Sequence, residues 1–203
     1  MVRSGGRLTY SLTEFAFYVD EVRAWGVTTA LQALNLYPKG EQSQRQLGKA
    51  VHTAVELFIQ YDLPPSAHSP RVQSRLKQFL KFLDRERVIP VAYEVFAHAF
   101  IDAIPIIAIS DLVVVTPANT LRVIDIKSGS DTYPNNLQTA AQQLTLQHIG
   151  LDVTERMVLS LHEDSYERSF HRRARDFDDL AKLVTKLGPR PQKYPYETEL
   201  RAS

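Results

Sequence analysis

The stretch LRVIDIKSGS, residues 121–130, decides the fold of this chain of 203 residues. Its apolar residues predict a buried strand, which Asp125 and Lys127 interrupt with opposite charges. Because side chains on a strand alternate between two faces, both charged side chains should point the same way, on the face opposite Ile124 and Ile126. Such a pair is either an ordinary ion pair at the end of a strand or part of a site that performs chemistry.

The strand before this stretch provides a partner for Asp125. The segment IIAISDLVVV (106–115) is followed by TPANT (116–120), whose proline and asparagine favour a tight hairpin. Pairing the strands backwards from this turn places Asp111 opposite Asp125, and a bulge would shift that register by one residue. Two facing carboxylates repel each other, and a divalent cation such as Mg²⁺ or Mn²⁺ removes the repulsion. The pattern therefore favours a metal site.

The rest of the chain predicts helices around these strands. Residues 8–36 predict short strands followed by a helical stretch. Apolar residues at helical spacing then predict two helices, one that starts at Leu47 and one that starts at Pro70. The expected later elements are a strand at 91–100, a helix over 135–149 that Gly150 stops, strands at 155–161 and 166–170, and a helix at 176–187. This order predicts an α/β fold with a mixed central β-sheet flanked by helices.

Composition limits the class of protein. A hydrophobic content of 44% in a chain of this length fits one domain with a sizeable core. The absence of cysteine excludes disulfides and iron–sulphur clusters held by thiolates. A net charge of +1 neither supports nor excludes a nucleic-acid partner. No apolar run approaches the roughly 18 residues of a membrane span, so we expect a soluble protein without a membrane partner.

Other residues lie near the predicted strands at suggestive positions. Glu94 interrupts the apolar strand at 91–100, either as a charge that faces water or as part of the site. Gly48, His52 and Glu56 are four residues apart and therefore form one stripe along a helix. Gly48 would let a backbone or a phosphate approach closely, whereas a lone histidine is more often a hydrogen-bonded residue than a ligand. The stripe lacks the His-Glu-x-x-His pattern of zinc metalloproteases, which excludes that class.

These features together resemble a known family, the PD-(D/E)XK nuclease superfamily, in its RecB-like exonuclease branch. Phage recombination exonucleases and mitochondrial genome-maintenance exonucleases are similar. The resemblance spans roughly residues 47–150, and the earlier segment 18–31 is similar to what precedes the core in phage members. It rests on GKAVHTAVELF (48–58), Glu94, ISDLVVV (109–115), VIDIKSG (123–129) and LQTAAQQLTL (137–146), in that order. It implies a restriction-endonuclease-like core.

The resemblance also implies roles for single residues. Asp111, Asp125 and the backbone carbonyl of Ile126 would hold one or two Mg²⁺ or Mn²⁺ ions, with His52 as a further ligand. Lys127 would be the catalytic lysine, and Glu94 the early acid of the catalytic set. Residues implied to support these ligands or to contact substrate are Gln138, Gln142, Glu56, Gly48 and Ser128. Gln142 stands where the family's Gln-x-x-x-Tyr motif has its tyrosine, which alters that packing or DNA contact and leaves the metal chemistry intact.

Two basic segments predict contacts with DNA phosphates, which carry no sequence information. The segment 166–177 contributes the arginines that we expect to make these contacts, namely Arg168, Arg172, Arg173 and Arg175. The segment 75–87 is the alternative, and a solvated helix face explains its charges equally well.

The sequence thus predicts one nuclease domain over residues 1–203, with a core at 45–187, a strand and helix extension at 1–44 and a Pro-rich tail at 189–203. The expected activity is that of a deoxyribonuclease, most simply an exonuclease on DNA ends in phage-type recombination or repair. The alternatives are a structure-specific or restriction-type endonuclease and an inactive module that binds DNA or protein. The expected partners are duplex ends or single strands of DNA and a recombinase or single-strand-binding protein. The expected location is the cytoplasm of a bacterium or phage-infected host, with an organelle matrix as the alternative.

Overall fold

Helices and strands follow the chain in the predicted order. The computed structural model describes residues 7–11, 16–36, 41–129 and 132–191, so most of the Pro-rich tail lies outside the described residues. The strands are β1 (Leu8–Ser11), β2 (Ala16–Val19), β3 (Val22–Arg23), β4 (Trp25–Gly26), β5 (Ile89–Ile101), β6 (Ile104–Val115), β7 (Leu121–Lys127), β8 (Val153–Leu161) and β9 (Tyr166–Phe170). The helices are α1 (Val27–Ala33), α2 (Gln42–Tyr61), α3 (Pro70–Glu86), α4 (Tyr133–His148) and α5 (Arg175–Leu187). No helix in these ranges is long and apolar enough to cross a membrane.

The helix boundaries have local causes. Helix α3 begins at Pro70, whose fixed φ suits a first turn and whose missing N–H needs no partner there. Helix α2 begins five residues before Leu47 and ends where Asp62 turns left-handed, at φ 55°. Helix α4 begins at Tyr133, two residues before the predicted start, because Pro134 occupies its first turn rather than the loop before it.

The central sheet is mixed, which confirms the predicted fold class. Strands β5, β6 and β7 form an antiparallel meander, β8 joins β7 in parallel, and β9 joins β8 antiparallel. The β6–β7 hairpin pairs Val115 with Leu121 and continues to Leu112 with Ile124. The predicted register is confirmed as far as this pair, and beyond it the side chain of Asp111 reaches β7 by accepting a hydrogen bond from the backbone N–H of Ile126.

An opening in the sheet lies beside Asp111. Strand β5 covers one edge of β6 along its whole length, so the other edge is shared by β4 and β7. Strand β4 pairs in parallel with Ile106 and Ile107, and β7 pairs only from Leu112 onwards. Among the described residues, no strand therefore pairs with residues 108–111 on that edge, and the sheet forks there.

The alternation of side chains changes on β5 at Glu94. Ala92 and Val95 are three residues apart, yet both pack in one cluster with Leu146 of α4. Tyr93 packs on the other side, against the core beneath α2 and α3. The left-handed backbone of Glu94, at φ 48°, causes the change.

Two helical layers bury the faces of the sheet. Helices α2 and α3 pack over Leu112, Ile124 and Ile126, while α1, α4 and α5 pack over the other face. A buried ion pair of 2.6 Å between Arg156 and Asp176 ties β8 to α5, and Arg156 also donates to the carbonyl of residue 136 on α4. These contacts fix α4, the helix that carries both candidate glutamines, over the end of β7.

Candidate active site

Asp125 lies at the centre of a hydrogen-bonded group. The Nζ atom of Lys127 lies 2.7 Å from Asp125 Oδ2, so the two form an ion pair, as one interpretation of the sequence proposed. Asp125 Oδ1 accepts hydrogen bonds from Gln138 Nε2 at 2.8 Å and from Gln142 Nε2 at 3.0 Å. Gln138 also accepts from Lys127 Nζ through Oε1, at 3.1 Å. The Asp125 side chain is fully buried, while that of Lys127 keeps 20% of its surface exposed, which leaves the ammonium within reach of a substrate.

Gln142 closes the fork in the sheet. Its Nε2 atom donates to the carbonyl of Ile109, on the open edge of β6, as well as to Asp125. The side chain of Gln142 is fully buried, and these two hydrogen bonds join Asp125 to the open edge of β6. Its Oε1 atom, a buried hydrogen-bond acceptor close to Asp125, has no hydrogen-bond partner among the described residues.

Asp111 is held against the strand that carries Asp125. Its Oδ2 atom accepts a 2.7 Å hydrogen bond from the backbone N–H of Ile126. Burial, followed by the negative charge of Asp125, raises the pKa of Asp111 to about 6. His52 and Lys127 act in the opposite direction without cancelling the shift. The carboxyl group therefore resists ionisation in the metal-free protein, as expected for two acids that share one buried site.

His52 approaches the same group from α2. Its Nε2 atom lies 2.9 Å from the carbonyl oxygen of Ile126, which only accepts, so Nε2 carries the hydrogen. Its Nδ1 atom faces Asp111 Oδ1 at 3.7 Å, which is too long for a hydrogen bond. In the neutral imidazole, Nδ1 keeps its lone pair and is the nitrogen able to bind a cation. The hydroxyl of Tyr93 donates to the backbone carbonyl of His52 at 2.8 Å and fixes this turn of α2.

Glu94 lies across from Asp111 on the opposite strand. The pairs Tyr93 with Leu112 and Val95 with Ser110 flank the two acids, so their register places Glu94 and Asp111 opposite each other. Glu94 is exposed and strained, because a left-handed backbone is costly for a residue with a side chain. Burial, and then the charges of Glu94, Asp111 and Glu56, raise the pKa of Tyr93 above its usual range. The three predicted acids, Glu94, Asp111 and Asp125, thus lie near one another on the adjacent strands β5, β6 and β7.

A cavity of about 410 Å³ opens onto these residues. Glu94, Asp111, Gln138 and Gln142 line it together with residues of β2, β4 and α1. Arg190, from the segment after α5, also lines it and stacks on Trp25 at 5.1 Å. Burial, with a smaller effect of Arg23, lowers the pKa of Arg190. The Arg190 guanidinium also donates to the carbonyl of Ala24 at 3.0 Å, so a cation and the acids Glu94 and Asp111 belong to the lining of the same cavity.

The remaining supporting residues lie on α2 and just after β7. A Cβ atom added to Gly48 would lie 3.4 Å from Ser128 Oγ, so the glycine permits close packing of the helix on the loop after Lys127. Glu56 accepts a 3.4 Å hydrogen bond from Gln60 Nε2 and influences the site through Tyr93. Gly48, Ser128 and Glu56 all lie outside the cavity lining given above.

The donor set fits a divalent cation. Asp111 and Asp125 offer carboxylate oxygens whose mutual repulsion a cation would relieve, and the carbonyl of Ile126 has a second lone pair besides the one that His52 uses. In the described part of the chain, no three His, Asp or Glu side chains form a ready-made metal cluster.

The predicted DNA-binding arginines differ in their surroundings. Arg168 forms an ion pair with Glu86 of α3. Arg172 stacks on Phe170 at 5.1 Å, and Arg175 lies 3.5 Å from Asp179. Arg172, Arg173 and Arg175 line a second cavity, of about 680 Å³, beside Tyr133 at the start of α4. Of the alternative basic segment, Arg75 is buried and bonded to Glu163, so it is not part of a solvated face.

Two residues at the site were not predicted from the sequence. Tyr93 could have been noticed as the neighbour of Glu94, but its bond to His52 depends on how α2 packs on β5. Arg190 carries no local signal, because it reaches the cavity only when Trp25 Nε1 donates to the carbonyl of Gly188 and Arg23 donates to that of Pro191. Both contacts join positions more than 160 residues apart.

Comparisons with known proteins identify the family of the chain. No curated protein matches the chain. One similar solved structure, "Crystal structure of SSO0001", shares 12% identity over 77% of this chain and 80% of its own, with a TM-score of 0.38. A family model described as the PD-(D/E)XK nuclease superfamily matches residues 66–187, a range that includes strands β5 to β9 and α4 but neither β4 nor His52. Such nucleases generally use divalent metals such as Mg²⁺. The chain belongs to the PD-(D/E)XK nuclease superfamily, and this membership indicates a nuclease.

Proposed function

We propose that this protein is a metal-dependent deoxyribonuclease that acts as an exonuclease on DNA ends, in phage-type recombination or repair. The observation that carries the proposal is the position of Lys127, 2.7 Å from Asp125 and beside the amide that binds Asp111. A partly exposed lysine next to the buried Asp125 and close to Asp111 is suited to phosphate chemistry and contributes little as a packing residue. The exonuclease assignment and its setting rest on the resemblance of the motifs to RecB-like enzymes.

Different residues of the chain would have different roles in phosphodiester hydrolysis. A bound Mg²⁺ or Mn²⁺ ion would supply positive charge for the phosphate oxygens and lower the pKa of a water. Asp111, Asp125 and the carbonyl of Ile126 would hold it, with His52 Nδ1 as a further ligand. Lys127 would orient or deprotonate the attacking water, or stabilise charge on the phosphate. Gln138 and Gln142 keep Asp125 in a fixed orientation, so its position does not depend on Lys127 alone.

Arginines on two sides of the site support a grip on the DNA backbone. The cavity beside α4 offers Arg172, Arg173 and Arg175, and the cavity above the acids offers Arg190. Arg168 is a weaker candidate than the sequence indicated, because Glu86 already neutralises it. Contacts of this kind bind phosphates without reading bases, which suits an enzyme that degrades DNA generally.

Digestion of matched DNA substrates tests the proposal. With Mg²⁺ or Mn²⁺, an exonuclease should shorten end-labelled linear DNA and leave the covalently closed circle of the same sequence intact. Rapid cleavage of the circle would replace the proposal with the endonuclease alternative. Binding of linear DNA without cleavage in either metal would instead favour the inactive module.

A further inference from the structure

A row of aromatic rings leads to the cavity that contains the acids. Tyr10 on β1, Phe17 on β2 and Phe96 on β5 follow one another, with ring centroids 4.7 Å and 5.9 Å apart. Phe17 lines the cavity together with Glu94 and Asp111. We call Tyr10, Phe17 and Phe96 the aromatic row; its middle member, Phe17, lines the cavity, and its two outer members lie at the surface.

Packing of the small sheet accounts for only part of the aromatic row, because Phe17 pairs with Tyr10 across β1 and β2 and packs against the buried residues that anchor the sheet. The three strands β1–β3 attach to β6 through Val19, Ala24 and Ile107, which are almost completely buried. Tyr10 and Phe96 instead leave 47% and 46% of their surface in water. Ile109, the cross-strand partner of Phe96, is also exposed. Large apolar side chains that stay exposed next to one another mark a binding surface.

We propose that the aromatic row is a stacking platform for the unpaired bases of a single DNA strand whose backbone enters the cavity. The inference rests on the proposed function, because it takes DNA as the substrate of that cavity. Every base has a flat π-face, so aromatic side chains bind bases of any sequence by stacking. A duplex keeps its bases stacked inside the helix, so only a single strand or a frayed end can use the platform.

The position of the row agrees with the charges around it. The lining of one cavity contains both Arg190, which can bind a phosphate, and Phe17, which can stack on a base. Backbone and bases of one strand therefore find chemically different partners in the same cavity. This combination suits a nucleic-acid strand better than an apolar protein segment, for which a charged arginine and two acids would be unfavourable neighbours.

Equilibrium binding separates contacts with bases from contacts with phosphates. The probes are a fluorescent oligothymidine of about 12 nucleotides and an abasic oligonucleotide of the same length, with Ca²⁺ in place of Mg²⁺. Tyr10→Ala and Phe96→Ala should each weaken binding of oligothymidine about tenfold and leave the abasic strand unaffected. Phe96→Tyr keeps a ring and should restore affinity. Tyr61→Ala is the matched control, because Tyr61 is 72% exposed at the end of α2.

The result that overturns the platform is equal loss of affinity for both probes, or no loss for either. A change of oligomeric state in the alanine variants, measured by light scattering, would also overturn it, since the row would then cover a second copy of the chain. The two proposals fail differently. If Lys127→Ala abolishes cleavage while Phe96→Ala binds oligothymidine normally, only the platform is wrong. If the wild-type protein neither binds nor cleaves DNA, both are wrong.

Discussion

The Oδ2 atom of Asp111 accepts a 2.7 Å hydrogen bond from the backbone N–H of Ile126, the residue between Asp125 and Lys127. This single bond fastens the acid of β6 to the strand that carries the other acid and the lysine. It also holds Asp111, whose side chain is only partly exposed, close to Asp125, where its negative charge is unfavourable. Stability and metal binding should therefore depend on the protonation of this carboxyl group.

The stability of the metal-free protein should reflect the pKa of Asp111. The pKa of about 6 lies above the usual 3.8, so the group's contribution is fully present below pH 4 and is lost as pH rises through 6. Asp111→Asn cannot ionise and should be more stable than wild type at pH 7, by about 1–3 kcal/mol, with little difference at pH 4. Urea denaturation in EDTA at both pH values measures this. A variant less stable than wild type at pH 7 would contradict the assignment.

Replacing Gln142 with alanine should weaken metal binding, whereas the same replacement at Gln143 should not. Gln142→Ala removes a donor to Asp125 and to the carbonyl of Ile109, so we expect a loss of about 1–3 kcal/mol in stability and about a tenfold weaker metal affinity. Gln143 is also buried but donates to the carbonyl of Val153, away from the acids. Gln143→Ala should therefore lose stability alone. Calorimetric titration with Mn²⁺ distinguishes the two, and equal affinities would remove Gln142 from the site.

Glu94 combines strain with a predicted catalytic role. Its left-handed backbone, at φ 48°, suits glycine, so Glu94→Gly should stabilise the protein by about 1 kcal/mol, whereas Glu94→Ala keeps the strain. Both variants remove the carboxylate opposite Asp111 and should cleave DNA more slowly. Thermal unfolding and cleavage rates, measured on the same preparations, check both effects. Full activity in Glu94→Gly would show that the acid has no part in catalysis.

Arg190 should bind a phosphate. Replacing it with glutamine should weaken DNA binding and reduce the slope of log K against log salt by about one. The slope reports counterion release, which a purely structural role would leave unchanged. Arg71→Gln is the control, since Arg71 is exposed on α3 near Glu163. An unchanged slope for Arg190→Gln would exclude the phosphate contact.

Local sequence was sufficient for the parts of the site that lie on one element or one tight turn. Alternation along β7 and the short hairpin loop placed Asp111, Asp125 and Lys127 correctly, because a strand has a fixed period and a short turn fixes the register. The helical stripe likewise identified His52, which lies 2.9 Å from the Ile126 carbonyl.

Long-range packing decided what the sequence did not show. The change of alternation at Glu94 depends on one unusual φ angle, for which a glutamate gives no signal. The fork in the sheet arises because β4, a strand of two residues, pairs with β6 from 80 positions away. Arg168 was expected to be available for DNA, but its neutralisation by Glu86 requires α3 to lie against β9.

Cleavage by Lys127→Ala tests the central claim most directly. The variant and the wild type should be compared on end-labelled linear DNA in Mg²⁺ and in Mn²⁺, with Lys182→Ala as a control for an exposed lysine on α5. The account predicts that Lys127→Ala cleaves at least about 100-fold more slowly, while its fold and DNA affinity stay close to those of the wild type. Wild-type cleavage rates in Lys127→Ala would contradict the account.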